Sequence, residues 1–69
     1  MSEQERDAMV KKTLEAIEGA GIIYITVRGE LLGGWIEDLT ETRLTFLERT
    51  PIPFKGITAI YNAGGYRVF

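Results

Sequence analysis

The sequence predicts a mainly β fold, in which an N-terminal α-helix is followed by a small, strongly bent barrel of five strands. Residues 22–47 read as three consecutive strands, in which an apolar set falls on one face if Gly29-Glu30 is a tight turn; the set is Ile23, Ile25, Val27, Leu32 and Ile36. Gly29 and Gly34 stand five positions apart within that stretch, a spacing suited to a tight turn followed by a bend. Residues 3–18 instead repeat apolar side chains at helical spacing.

The helix is expected over residues 3–18. Ser2 and Glu5 form an S-x-x-E capping box, in which each side chain can bond to the backbone N–H of the other residue. One helical stripe then comprises Met9, Val10, Thr13, Leu14 and Ile17. Gly19-Ala20-Gly21 ends the helix, since glycine adopts the left-handed conformation without penalty. We expect the stripe to pack over the open end of the barrel.

The first two strands, at about residues 22–28 and 31–38, are predicted to form a hairpin. Gly29-Glu30 suits a two-residue type II′ turn. The resulting pairs are Val27–Leu32, Ile25–Gly34, Ile23–Ile36, Tyr24–Trp35 and Thr26–Gly33. Both faces are then chemically consistent, which favours this register over a one-residue slip. Gly33-Gly34 in mid-strand predicts a sharp bend, with a bulge as the alternative.

The remaining elements are shorter. The third strand is expected at about residues 43–48, with Leu44 and Phe46 pointing inward. Residues 52–54 can form only a short edge strand, because each flanking proline removes a hydrogen-bond donor. A tight turn, or one turn of 3₁₀ helix, at Lys55-Gly56 leads to a fifth strand over 57–61. The tail, 62–69, turns at 62–65, and its last four residues are expected to form a sixth strand, swap into a neighbour or hang free.

Length and composition limit how this chain can be stabilised. Residues 1–69 are long enough for a single domain, and such a domain buries only about 60% of its unfolded surface. The chain has no Cys and no His, so disulfides and the usual zinc and haem ligands are excluded. We expect no cofactor and no metal. Association between copies is the stabilising device that is left.

The net charge of −2 argues against non-specific binding to nucleic acid, which depends on a basic surface. Any nucleic-acid binding must use a few locally placed cations. The polar start of the chain is unlike a signal peptide, and no apolar run approaches the roughly 18 residues of a membrane span. We therefore expect a cytoplasmic protein.

The strand region resembles the Sm-like (Lsm) family. The pattern that carries the resemblance is Ile25-x-Val27-x-Gly29-x-x-Leu32-x-Gly34-x-Ile36, and Phe54-Lys55-Gly56 resembles the second family signature. The lengths between elements are similar to those of the bacterial host-factor RNA chaperone (Hfq) branch. The resemblance covers about residues 4–61 and implies a five-stranded SH3-like/Sm-like barrel at about residues 22–61.

The resemblance also implies a homo-oligomeric ring of five to eight subunits, in which the fourth strand of one subunit pairs with the fifth strand of the next. The implied interface residues are Leu47, Ile52, Phe54, Ile60 and Tyr61. Members of the family bind single-stranded RNA near the pore. The matching positions here are Thr40, Glu41, Thr42, Arg43, Phe54, Lys55 and Gly56.

The predicted RNA pocket departs from the family pattern. Thr40 replaces the usual Asp or Asn, no aromatic or Met stands near Thr42 to stack on a base, and Glu41 adds negative charge. The leading hypothesis is therefore a ring protein with a weakened or atypical RNA pocket. The alternative is a ring-shaped module that holds a protein through Tyr24, Trp35 or the tail. A monomeric SH3-like domain is the third. No nucleophile–base pair is visible, so we expect no enzymatic activity.

Overall fold

One helix and five antiparallel strands make up the fold. The computed structural model describes residues 2–69, so that Met1 of the predicted domain lies outside them. The elements are helix α1 (Glu3–Ala20), strands β1 (Ile22–Val27), β2 (Glu30–Leu39), β3 (Arg43–Phe46), β4 (Ile52–Pro53) and β5 (Ile57–Tyr61), and a 3₁₀ turn η1 (Phe54–Gly56). The sheet has the order β4-β3-β2-β1-β5. The prediction of a mainly β fold behind an N-terminal helix is confirmed.

Helix α1 begins at its predicted cap and ends two residues later than predicted. Ser2 Oγ accepts a hydrogen bond from Glu5 N at 3.1 Å, and Gly21 takes the left-handed C-cap position. Met9 and Thr13 are fully buried, whereas Leu14 is 50% exposed. The inclusion of Leu14 in the buried stripe was wrong, because the centre of the docked face runs through Met9 and Thr13 and leaves Leu14 at its border.

The β1–β2 hairpin has a different register from the predicted one. Arg28 and Gly29 are the two loop residues, and both have positive φ, as a type I′ turn requires. Val27 pairs with Glu30, and Tyr24 pairs with Gly33 instead of Trp35. The predicted Gly29-Glu30 turn was wrong by one residue, which moves every partner by two. A shift of two residues leaves each side chain on its predicted face.

The turn residue Arg28 gives a first prediction. Its φ of 52° is unfavourable for a side chain with a Cβ, and Asn tolerates this conformation better. We expect Arg28→Asn to raise the free energy of unfolding by about 0.5–1 kcal/mol. Urea denaturation measures the change, with Arg49→Asn in the β3–β4 connection as the matched control. Equal or lower stability of Arg28→Asn would contradict the type I′ assignment.

Strand β2 belongs to both halves of the sheet. Residues 30–35 pair with β1, and residues 36–39 pair with β3, so the partner changes after Trp35, one residue beyond Gly33-Gly34. The irregularity in the β2–β3 ladder lies between Ile36 and Asp38, where Glu37 is the extra residue. The bulge considered at the two glycines therefore lies further along the strand.

The core forms where α1 covers the concave side of the sheet. Its buried apolar side chains are Met9, Ile23, Ile25, Leu44, Phe46, Phe54, Ile57 and Ile60. The inward orientation predicted for Leu44 and Phe46 is confirmed, since they are 0% and 1% exposed. Strand β4 is two residues long, and η1 follows it directly, as the prolines and Lys55-Gly56 predicted.

The tail does not hang free. Residues 66–69 fold back along the outer edge of β5, and Tyr61 and Arg67 form an antiparallel bridge. Val68 and Phe69 are half-buried against the core. Of the three fates left open for the tail, the structure shows a short edge segment paired with its own β5.

Candidate nucleic-acid interface

Three cationic side chains line one hollow at the N-terminal end of α1. Arg6 comes from the helix, Arg43 from the start of β3 and Lys55 from η1. The hollow has a volume of about 450 Å³. Its other lining residues are Ser2, Glu3, Thr42 and Pro53. We call this hollow the cationic hollow.

The loop between β2 and β3 is shaped by Thr40. The Thr40 Oγ1 atom accepts hydrogen bonds from Arg43 N at 3.0 Å and from Thr42 N at 3.3 Å. Thr40 N donates to Arg43 O at 2.9 Å, which closes the loop. Such side-chain bonds to the backbone two and three residues on are what Asp and Asn supply in turns. Thr40 thus holds Thr42 and Arg43 in place, and it does not line the cationic hollow.

A buried aromatic ring holds Lys55 beside this loop. Phe54 is 0% exposed, and its backbone N donates to Thr42 O at 3.0 Å. The next residue, Lys55, is exposed and lies at the rim of the hollow. The burial of Phe54 therefore fixes the direction in which Lys55 leaves the fold. Because its ring is in the core, Phe54 cannot present a stacking face to a base in this conformation.

The cations of the hollow have little local compensation. Within residues 2–69 the one ion pair with N···O below 4 Å joins Lys12 to Glu15 on the far part of α1. Glu3 is the one carboxylate lining the hollow. Arg6 Nε is buried and has no hydrogen-bond partner. The backbone N–H groups of the first helical turn add partial positive charge at the same place. The arrangement suits an anion.

Sequence reasoning missed Arg6. Its place in the first turn follows from the capping box, but nothing local shows which strands that turn approaches. Of the predicted RNA-binding residues, the fold brings Thr42, Arg43 and Lys55 together in the cationic hollow. Glu41 is exposed outside the hollow, and Gly56 lines a separate groove near the β1–β2 turn.

The predicted interface residues divide into two groups. Phe54 and Ile60 are 0% exposed, so their side chains are already used in the core of the single chain. Leu47 is 52% exposed, and Ile52 and Tyr61 are half-buried. The side chains that remain free to contact a neighbour are therefore those of Leu47, Ile52 and Tyr61.

An uncharged aromatic surface lies on the convex side of the sheet. Its residues share one face of β1, β2 and β5, and all except the buried Ala59 are at least partly exposed; they are Ile22, Tyr24, Thr26, Leu31, Gly33, Trp35, Ala59 and Tyr61. Tyr24, Leu31 and Tyr61 border a second hollow of about 450 Å³ next to the turn at Ala63–Gly65. Trp35 is 57% exposed, and its ring edge lies beside Gly21 at the end of α1. We call this surface the outer aromatic face.

Neither a protein-family model, nor a curated protein, nor a solved structure matches the chain. Among residues 2–69, no helix is both apolar and long enough to cross a lipid bilayer. No three acidic side chains among these residues lie close enough together to hold a metal ion.

Proposed function

We propose that the chain is an Sm-like domain that binds single-stranded RNA through phosphate contacts in the cationic hollow. The observation that carries the proposal is the convergence of Arg6, Arg43 and Lys55, from three separate elements, in a chain whose net charge is −2. Phosphate contacts supply most of the sequence-independent affinity for nucleic acid.

The strand order supports the family part of this proposal. Strands β4 and β5 lie at the two margins of the sheet, where the resemblance requires them for pairing between subunits of a ring. A ring would repeat the cationic hollow in every subunit and so multiply a weak contact. The binding mode differs from the one the resemblance implies, because Thr40 is used in the loop and Phe54 in the core. Backbone recognition replaces base stacking.

Salt dependence of RNA binding tests the proposal. With three phosphate contacts per hollow, a plot of log Kobs against log salt has a slope of about −2 for a single strand. We expect Arg6→Ala, Arg43→Ala and Lys55→Ala each to weaken binding several-fold and to reduce the slope by about 0.7. The measurement is fluorescence anisotropy of labelled U-rich and A-rich oligonucleotides at low and moderate salt.

Lys11→Ala is the matched control, because it removes one exposed cation from α1 outside the hollow. Lys11→Ala should leave the affinity for RNA and the salt slope close to the wild-type values, because the charge that it removes lies outside the hollow. Equal effects of Lys11→Ala and Lys55→Ala, or no RNA binding at low salt, would refute the cationic hollow as the site.

A protein-binding module is the second candidate, and the outer aromatic face favours it. The face carries Tyr24, Trp35 and Tyr61 without any charged side chain, as the cores of protein interfaces do. Trp35 is the sole tryptophan of the chain, so its emission reports directly on this face. Under this second function, addition of RNA does not change Trp35 emission, and the cation variants bind the protein partner as the wild type does. Tyr24→Ala instead abolishes capture of the protein partner.

A further inference from the structure

The segment Tyr66–Phe69 uses the backbone edge of β5. Ile60 N donates to Phe69 O at 3.1 Å, and Val68 N donates to Ile60 O at 2.8 Å. Asn62 N donates to Tyr66 O at 2.9 Å. Both backbone groups of Ile60 are therefore bonded to the segment. A second polypeptide cannot form the same bonds to Ile60 and Asn62 while the segment lies there.

A turn and two side chains hold the segment on the edge. Asn62 Oδ1 accepts hydrogen bonds from Gly64 N and Tyr66 N, each at 3.0 Å. Val68 and Phe69 pack against the core from the margin of the sheet. The segment is joined to β5 by this short turn, so its effective concentration at the edge far exceeds that of a second molecule.

The opposite margin of the sheet, strand β4, is a poor competitor of segment 66–69 for the outer edge of β5 in another copy of the chain. Phe54 N bonds to Thr42 O, and Leu44 pairs with Ile52, so the backbone of Pro53 points away from β3. A proline has no N–H group, so the outward edge of β4 offers a carbonyl at Pro53 but no donor. A neighbour's β4 could accept from the N–H of Ile60, whereas segment 66–69 both donates to Ile60 and accepts from it.

We infer that segment 66–69 is a built-in edge strand that competes with a second copy of this chain for the outer edge of β5. The inference rests on the proposed ring and adds that the docked segment regulates its assembly. The chain is a capped monomer while the segment is docked. Strand pairing between copies through β5 requires that the segment leave the edge.

A disulfide that locks the segment tests the competition directly. The chain has no cysteine of its own, and the bridge pair Tyr61 and Arg67 lies between the hydrogen-bonded positions. Facing Cα atoms are close at such non-hydrogen-bonded pairs, which suits a disulfide. The double variant Tyr61→Cys/Arg67→Cys is compared in its oxidised and reduced forms. Light scattering after size exclusion gives the mass over a concentration series, and circular dichroism checks folding.

A second variant weakens the docking and keeps the full chain length. Val68→Ala/Phe69→Ala removes the apolar contacts of the segment and leaves the backbone of β5 unchanged. Leu14→Ala is the matched control, because it removes exposed apolar surface from α1 and leaves the tail unchanged. We expect the oxidised double variant to remain a monomer at every concentration. Val68→Ala/Phe69→Ala should assemble at a concentration at least about tenfold lower than the wild type and Leu14→Ala.

The outcomes separate this inference from the proposed RNA function. Assembly of the oxidised form to the same mass as the reduced form would overturn the inference and leave the ring intact. A monomeric mass for every folded form, including the weakened variant, would overturn both the inference and the ring. RNA anisotropy on the same samples reports on the cationic hollow separately, because no residue of β5 or of segment 66–69 lines that hollow.

Discussion

Phe54→Ala should lower the free energy of unfolding by about 3–5 kcal/mol, the cost typical of removing a fully buried aromatic ring. Phe54 is 0% exposed, and its buried ring anchors η1, which follows β4 and precedes β5 along the chain. A domain of this size has a total stability of only a few kcal/mol, so most of the variant should be unfolded without ligand. Chemical denaturation followed by circular dichroism measures the loss.

Phe54→Leu is the matched variant, since it keeps an apolar side chain in the same place. We expect a loss of about 1–2 kcal/mol and a folded protein. RNA binding by Phe54→Leu should nevertheless weaken, because a less well-held η1 lets Lys55 move relative to Arg43 and Arg6. If Phe54→Ala were as stable as the wild type, the ring could not lie in the core as described.

Gly33→Ala should lower the free energy of unfolding by about 1–3 kcal/mol. A Cβ on Gly33 would lie 2.2 Å from Cδ1 and 2.5 Å from Cε1 of Tyr24, on the neighbouring strand. The ring of Tyr24 lies across the glycine, as aromatic side chains do when they cover a glycine opposite them in a sheet. The new methyl group therefore forces the ring out of its position on the outer aromatic face.

A double-mutant cycle isolates that contact. In a Tyr24→Ala background, Gly33→Ala meets no ring, so it should be neutral or slightly stabilising. Gly19→Ala is the matched control and should raise the free energy of unfolding. Nothing lies within 4 Å of its Cβ position, and alanine has a higher helix propensity than glycine. Additive effects of Gly33→Ala and Tyr24→Ala would show that the two residues do not touch.

The helix and most strand positions could be predicted from the sequence because each depends on a local pattern. The capping box at Ser2 and the proline-flanked Ile52 both act within a few residues. The hairpin register was not predicted, because turns at Arg28-Gly29 and at Gly29-Glu30 give the same division into faces. Local preference disfavours Arg28 at positive φ, and the observed register instead places the Tyr24 ring over Gly33.

The candidate site was predicted only in part, because local patterns show some of its residues and tertiary packing brings in the rest. Thr42, Arg43 and Lys55 came from a resemblance that concerns adjacent strands and turns. Arg6 entered the hollow only through the docking angle of α1, which depends on tertiary packing around Met9 and Thr13. The tail presented a comparable difficulty. The turn predicted at 62–65 allowed the last four residues to add a strand, but it did not show whether that strand would pair with its own β5.

The position of β1 between β2 and β5 has a consequence for synthesis on the ribosome. Residues 22–27 pair on one side with residues 30–35 and on the other with residues 57–61. The hairpin can form early because its strands are adjacent in the chain, whereas the second margin of β1 stays open until β5 has emerged. That margin of β1 is therefore open from the formation of the hairpin until β5 pairs with it. A holdase chaperone that shields β1 during this interval should raise the yield of folded protein.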